Sequence, residues 1–274
     1  MKPLWIISAL FVLSLLSPLV PVSHAGQLTG LYDNYQKLLD AVVTGDASIG
    51  SFTLNVVDYE SLSRDQGDPA SFYDSIIASL KQVDPAGISG KQEKVAFWIN
   101  AYNISAIKLI LDHYPTDSIR SRKINWLKQP WNMKIIDIGG KAYSLGQIEH
   151  EILLGFFKEP MIHFAVVCAS LSCPEINTQV YRGSTLEDQL REQARKFLND
   201  RNKGLRIEKG AGAVYFSKIF KFDKKTFPNG ARDAISLITD LIAQEDADYL
   251  ISGKYTVKYL EYDWSINSLS RARR

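Results

Sequence analysis

Cysteine is scarce in this sequence. Two occur in 274 residues, Cys168 and Cys173, which excludes a fold stapled by disulfides and leaves the apolar core to hold the chain together. A charge bias is also missing: 32 basic residues face 30 acidic ones, for a formal net charge of +2. That balance gives neither nucleic acid nor an anionic membrane an electrostatic reason to bind. There is no glycine-rich phosphate loop, no Gly-x-Ser-x-Gly elbow, no Cys-x-x-Cys pair and no pair of metal-binding carboxylates. Kinase, dinucleotide and serine-hydrolase readings are therefore set aside, and the missing Cys-x-x-Cys leaves a thiol-redox protein as a third reading behind the two developed below. Long apolar runs are absent beyond the first residues, so no membrane span is expected once the leader is removed.

What is present begins with that leader. Lys2, the apolar "LWIISALFVLSLL" and small residues at Ser23 and Ala25 read as a signal peptide over 1–25. It predicts a periplasmic or secreted protein starting at Gly26. A helical segment over 26–54 follows, with an apolar stripe at 28, 31, 32, 35, 38, 39 and 42. "PASFYDSIIASLKQV" reads as a second helix with Pro69 near its start. "KQEKVAFWINAYNISAIKLILDHY" reads as a third, opened by a Ser89/Gln92 capping box and apolar on nearly every side. Ser144/Gln147 and Ser184/Glu187 start "LGQIEHEILLGFF" and "TLEDQLREQARKFLN" in the same way. "MKIIDIGGKAYS" and "GLRIEKGAGAVYFS" read as hairpins, "MIHFAVVCA" as a buried strand, "GARDAISLITDLIAQ" as a late helix and "KYTVKYLEYDW" as a last strand. Residues 268–274 form a basic tail. Helices come first and hairpins mix with helices later, which predicts one large α+β domain with a buried central helix and a small mixed sheet.

Five motifs stand in one order: "AFWINAYN" (96–103), "SLGQIEHEIL" (144–153), "IHFAVVCASLSCP" (162–174), "SKIF" (217–220) and "YDWSIN" (262–267). In these the chain resembles the domain-of-unknown-function 547 family, over roughly 55–267, in its exported bacterial branch. The resemblance implies a domain and a set of positions rather than a reaction. In the plant branch of that family the position of Cys168 stays cysteine while that of Cys173 is often serine. The position of His163 varies there, and Glu149-His150 and Asn100/Asn103 recur.

Cys168 is the leading candidate for chemistry, because it closes an apolar segment and opens the small-residue loop "ASLS". The competing reading is a thiol packed as a small apolar group. If 161–169 is a strand, His163 and Cys168, five residues apart, lie on opposite faces. His113 is expected to cap the end of the central helix. His150 is left as base, with Asp263 from "YDWSIN" to orient it. Glu149, about 100° around a helix from His150, is a second polar group in the cleft or an ion-pair partner elsewhere. Asn100 and Asn103 share a face of an apolar helix. Both amides are expected buried and bonded to chain outside that helix, as support for the loop, for a substrate or for an oxyanion. Trp98, Trp126, Trp131 and Trp264 either pack in the core or line a groove. Cys168 and Cys173 are close enough in sequence to pair as a small disulfide, which would silence the first. Their spacing with His150 and His163 matches no recognised zinc site, and no metal or cofactor is called.

Two functions from different classes remain open. One is a cysteine-dependent hydrolase or acyl transferase, with Cys168, His150 and Asp263 as its catalytic group. The other is a non-catalytic module that binds a peptide, glycan or protein, with a structural Cys168–Cys173 bridge. The partner is in either case a small molecule, peptide or protein of unknown identity.

Overall fold

A computed structural model of the chain describes residues 24–68, 71–127 and 129–273. The leader read over 1–25 lies, but for His24 and Ala25, outside the described residues, as does Pro69. Among the described residues no helix is long and apolar enough to cross a membrane.

The architecture is α+β with a buried central helix. Helix α1 (His24–Val42) runs into an antiparallel hairpin of β1 (Val43–Ile49) and β2 (Phe52–Val57). The stripe predicted for α1 is its buried face, with Leu31, Tyr32, Tyr35, Leu38, Leu39 and Val42 in the core. Helix stops at Val42, at the end of that stripe and before the Gly/Ser/Asp-rich stretch. The 54/55 boundary drawn from sequence falls inside β2, whose Leu54 and Val56 pack on Leu171. The Gly/Ser/Asp-rich composition of β1 hid a strand that needs only one dry face.

Helices α2 (Tyr59–Asp65) and α3 (Phe72–Gln82) lead to α4 (Lys91–Leu111). From Val95 to Ile107, and again from Leu109 to Leu111, every residue of α4 is buried. The Ser89/Gln92 box does not form, since Gly90 occupies the N-cap without a side-chain bond. β3 (Lys134–Ile138) and β4 (Lys141–Ser144) pair antiparallel around Gly139-Gly140. Both glycines have positive φ, and a Cβ on Gly139 would stand 2.7 Å from the Val83 carbonyl oxygen, so the turn excludes other residues at that site.

The Ser144/Gln147 capping box does form: the Gln147 N–H donates to Ser144 Oγ at 3.2 Å, and the Ser144 N–H donates to Gln147 Oε1. The helix it opens, Gln147–Phe156, is a π-helix. Pro160–Phe164 is a 3₁₀ turn, and 165–173 is irregular chain that forms no regular strand, with one isolated antiparallel bridge between Ser170 and Ile266. The buried strand predicted over 161–169 is thus absent. Burial alone does not tell a strand from a loop whose backbone groups are satisfied by side chains.

The C-terminal third holds α5 (Leu186–Asn199), β5 (Leu205–Glu208), β6 (Ala213–Phe216), α6 (Ile219–Phe222), α7 (Ala231–Ile238), α8 (Gln244–Ser252) and β7 (Thr256–Tyr259). Thr185, not Ser184, caps α5, and it makes no side-chain cap bond. β5 pairs antiparallel and β7 parallel with β6, giving the small mixed sheet. The last helix, α9 (Leu269–Ala272), docks beside the β1–β2 hairpin, with Ser268 buried. The basic tail is therefore partly structured.

Two large apolar cores result. One surrounds α4 and reaches Cys168 and Cys173; the other gathers Phe164, Phe197, Phe216, Phe220 and Phe227 under the C-terminal helices.

Candidate functional site

The thiol loop is held from both sides. Upstream, Asn103 on α4 donates from Nδ2 to the Ala165 carbonyl at 3.0 Å and accepts the Val167 N–H on Oδ1 at 3.0 Å. One buried carboxamide thus replaces the neighbouring strand that 165–167 lacks. Asn100 does the same to Tyr181, at 2.8 and 3.0 Å. Each amide thus spends its oxygen and one of its two N–H donors on the backbone of another segment.

Downstream, the "YDWSIN" segment runs antiparallel to the loop. Leu171 N–H bonds to Ser265 O at 2.9 Å, Asn267 N–H to Ala169 O at 2.9 Å, and Asp263 N–H to Ser172 Oγ at 2.8 Å. Ala169, immediately after Cys168, sits at φ +58°. That left-handed conformation is strained for a residue with a Cβ and turns the chain sharply at the thiol.

Cys168 and Cys173 are both free, so the disulfide reading is corrected. They interact instead as thiols. The Cys168 N–H donates to Cys173 Sγ at 3.1 Å. Cys168 Sγ stands 3.0 Å from Ser170 Oγ and 3.6 Å from the Tyr262 hydroxyl. Hydrogen bonding with the Cys173 thiol does most to hold Cys168 below the ordinary thiol range; burial opposes it, and Ser170 and Tyr262 add to the lowering. Burial, and then the neighbouring Cys168, push Cys173 well up. Of the two, Cys168 is the thiol that ionises more readily. Burial, followed by the charge on Cys168, keeps the Tyr262 phenol protonated and able to donate.

Cys168 and Cys173 open onto a cleft of about 350 Å³, within the usual range for small-molecule sites. His150, His163, Glu149, Asp223 and Tyr102 line it, as do Trp131, Phe222, Tyr262, Trp264 and Arg120. Both histidines face it, because the alternation that sent His163 to the far side belongs to a strand that does not exist. His163 Nε2 lies 3.2 Å from Asp223 Oδ2, with both side chains buried. The contact is an electrostatic pairing rather than a well-aligned hydrogen bond, since neither atom finds a bonding partner of good geometry. Burial would raise the Asp223 carboxyl, but contact with His163 and bonds from Thr226 hold it well below the usual carboxylate range. Neither histidine is hydrogen-bonded directly to the thiol.

His150 Nδ1 is buried without a partner. Asp263 does not orient it: its Oδ1 accepts the Ser265 N–H at 2.8 Å, closing a local turn, and it does not line the cleft. Glu149 faces the cleft beside His150 and accepts from the Tyr102 hydroxyl at 3.0 Å. Both side chains reach the cleft wall from the π-helix. His113 bonds back to the Leu109 carbonyl at 2.9 Å, outside the site.

The tryptophans divide. Trp98 is buried against Phe97 and Tyr143, and Trp126 is exposed. Trp131 and Trp264 form an aromatic wall with Tyr262 and Phe222, their ring centroids 4.5 to 5.8 Å apart. Sequence reasoning missed Tyr262, Ser170, Arg120, Phe222 and Asp223. The first two stand inside quoted motifs, and their roles follow only from the pairing of 169–172 with 263–267. Nothing in "KFDKKTF" marks Asp223.

Among the described residues no group of three His, Cys, Asp or Glu side chains is gathered as a metal site. Comparison with curated proteins and with solved structures returned no match. Residues 85–198 match the model of a family described as "Protein of unknown function, DUF547". That stretch contains both amides of α4, Glu149-His150 and the whole thiol loop, and ends before Asp223, Tyr262 and Trp264.

Proposed function

We propose that this chain is a thiol-dependent acyl hydrolase or acyl transferase with Cys168 as nucleophile. The observation that carries the reading is the cleft itself. A thiol held below its ordinary range, at a strained turn, shares a 350 Å³ cavity with two histidines, one of them set against a buried carboxylate. In this scheme the Cys168 sulfur attacks a substrate carbonyl. The leaving group departs with a proton from a histidinium, and water or a second acceptor then breaks the thioester while histidine takes its proton. His163, oriented by Asp223, is the better-placed base. His150, with an unpaired ring nitrogen, is the second proton-handling group. Asn100 and Asn103 support the loop, and Trp264 lines the substrate wall.

Treatment with p-nitrophenyl acetate tests this. The expected result is a burst of p-nitrophenolate and an acetyl group on Cys168 by peptide mass, both lost in Cys168→Ser. An adduct on Cys173, or no burst, counts against it.

A second reading has its own observation. The aromatic wall, with Phe222 half exposed beside Trp264, suits non-catalytic binding of a peptide, glycan or protein. Binding without acylation of Cys168 would favour it. The leader supports export to the periplasm or medium, for which the expected mature N-terminus is Gly26.

A further inference from the structure

The cleft is electrically lopsided. Glu149 and Asp223 lie inward, partly or fully buried, beside the thiol and the histidines. Arg120 stands at the exposed rim. Its guanidinium lies over the Trp264 ring, with Cζ 4.9 Å from the centroid, and it makes no ion pair with a carboxylate among the described residues. A guanidinium stacked on a ring keeps its N–H edge free, and that edge matches a carboxylate in two-pronged fashion.

The wall between the two ends is continuous. The Tyr262 hydroxyl touches Cys168 Sγ at 3.6 Å, the Tyr262 ring packs on Trp264 at 4.5 Å, and Arg120 covers Trp264. A ligand laid along this wall meets a thiol at one end, aromatic faces in the middle and a lone cation at the other. Two inward carboxylates repel a negative group from the thiol end, and the single guanidinium attracts it to the rim. One cation beside two acids suits a monoanion rather than a dianionic phosphate.

We infer that the acyl substrate carries a carboxylate, held by Arg120, separated from its reactive carbonyl by a ring or apolar spacer that lies on Trp264 and Tyr262. This rests on the reading of Cys168 as nucleophile, and it adds substrate class and orientation.

Two alkylating probes separate the claims: para-carboxyphenyl iodoacetamide and its uncharged para-carbamoyl analogue. In each the Cys168 thiolate displaces iodide, a C–S bond forming as the C–I bond breaks. The carboxylate probe is expected to modify Cys168 about threefold faster, the size an exposed ion pair gives. R120Q should erase that preference, R120K should keep part of it, and the rate with plain iodoacetamide should not change in either. Equal rates for the two probes in the native protein, or a preference that survives R120Q, overturn the carboxylate anchor while leaving Cys168 as nucleophile. If Cys168 reacts with none of the reagents, the acyl-transfer reading fails and the anchor is judged by tryptophan fluorescence. Quenching by benzoate but not benzamide, lost in R120Q, upholds it; equal quenching, or none, overturns it.

Discussion

The wall of the cleft that hangs from α4 and the wall contributed by the C-terminal third are held by different means. On the α4 side, Cys168 is fixed by the backbone-like bonds of Asn103 and by a loop packed into the first core. On the other side, Phe222 ends α6, and Asp223, Tyr262 and Trp264 come from the short connections that follow α6 and β7. The first side falls within the 85–198 family match and the second outside it. Cys168 and the amide that supports its loop thus lie within the matched stretch, while Asp223 and most of the aromatic wall belong to the part of the chain beyond that match. The site is complete only where the two meet.

The largest effect expected from this contrast is on stability. Asn103→Leu removes two hydrogen bonds and strands the Ala165 carbonyl and the Val167 N–H in the core. At about 1–3 kcal/mol for each of the two unsatisfied groups, a loss of about 2–6 kcal/mol should appear as a lower denaturant midpoint. An unchanged midpoint would mean that the loop does not depend on α4.

How much of this was legible in the sequence depends on the kind of signal. The buried amides were, because two carboxamides three residues apart inside an apolar helix have no water to bond and must reach other chain. The buried stripe of α1, the Gly139-Gly140 turn and the mixed sheet were legible for similarly local reasons. The segment 161–169 was not: apolar content reports burial, and the partner satisfying its backbone is an amide 64 positions away from Val167. Ser89/Gln92 and Ser144/Gln147 have the same spacing, yet only the second forms a box, since Gly90 at φ +81° starts α4 without help. Asp223 and Arg120 were invisible because tertiary contact alone gives them meaning.

Next in size are the histidines. His163→Ala should slow alkylation of Cys168 by about tenfold, less than the roughly 10²–10⁴-fold that positioned acid–base groups contribute to a full catalytic step, and His150→Ala should slow it less. The reverse ranking would return the base to His150 and leave the His163–Asp223 pair a structural contact.

The pH dependence sharpens the comparison within the thiol pair. Cys168 is held below the ordinary thiol value of about 8.5, so its alkylation rate should rise through a midpoint below that value. Cys173→Ala should move the midpoint up the most, because the Cys173 bond is the largest cause of the lowering. Tyr262→Phe should move it less. A midpoint at or above the ordinary value would show that burial wins over the hydrogen bonds.

The smallest expected effect lies at Asp223. Its folded-state pKa is depressed, so its stabilising contribution is fully present above the ordinary carboxylate range near pH 4 and is lost as pH falls toward the lower folded value. Asp223→Asn should therefore cost stability at neutral pH, with the two proteins converging in acid unfolding curves below about pH 3. Parallel curves would mean that the carboxylate gains nothing from His163.

The central claim is that Cys168, and not Cys173, is the poised thiol of a cleft assembled by both cores. It is tested most directly by limited alkylation of the reduced native protein with iodoacetamide, followed by peptide mass analysis at each cysteine. Cys168 should be modified first, with Cys173 protected until the protein is unfolded. Modification of Cys173 first, or of both at equal rates, would contradict it.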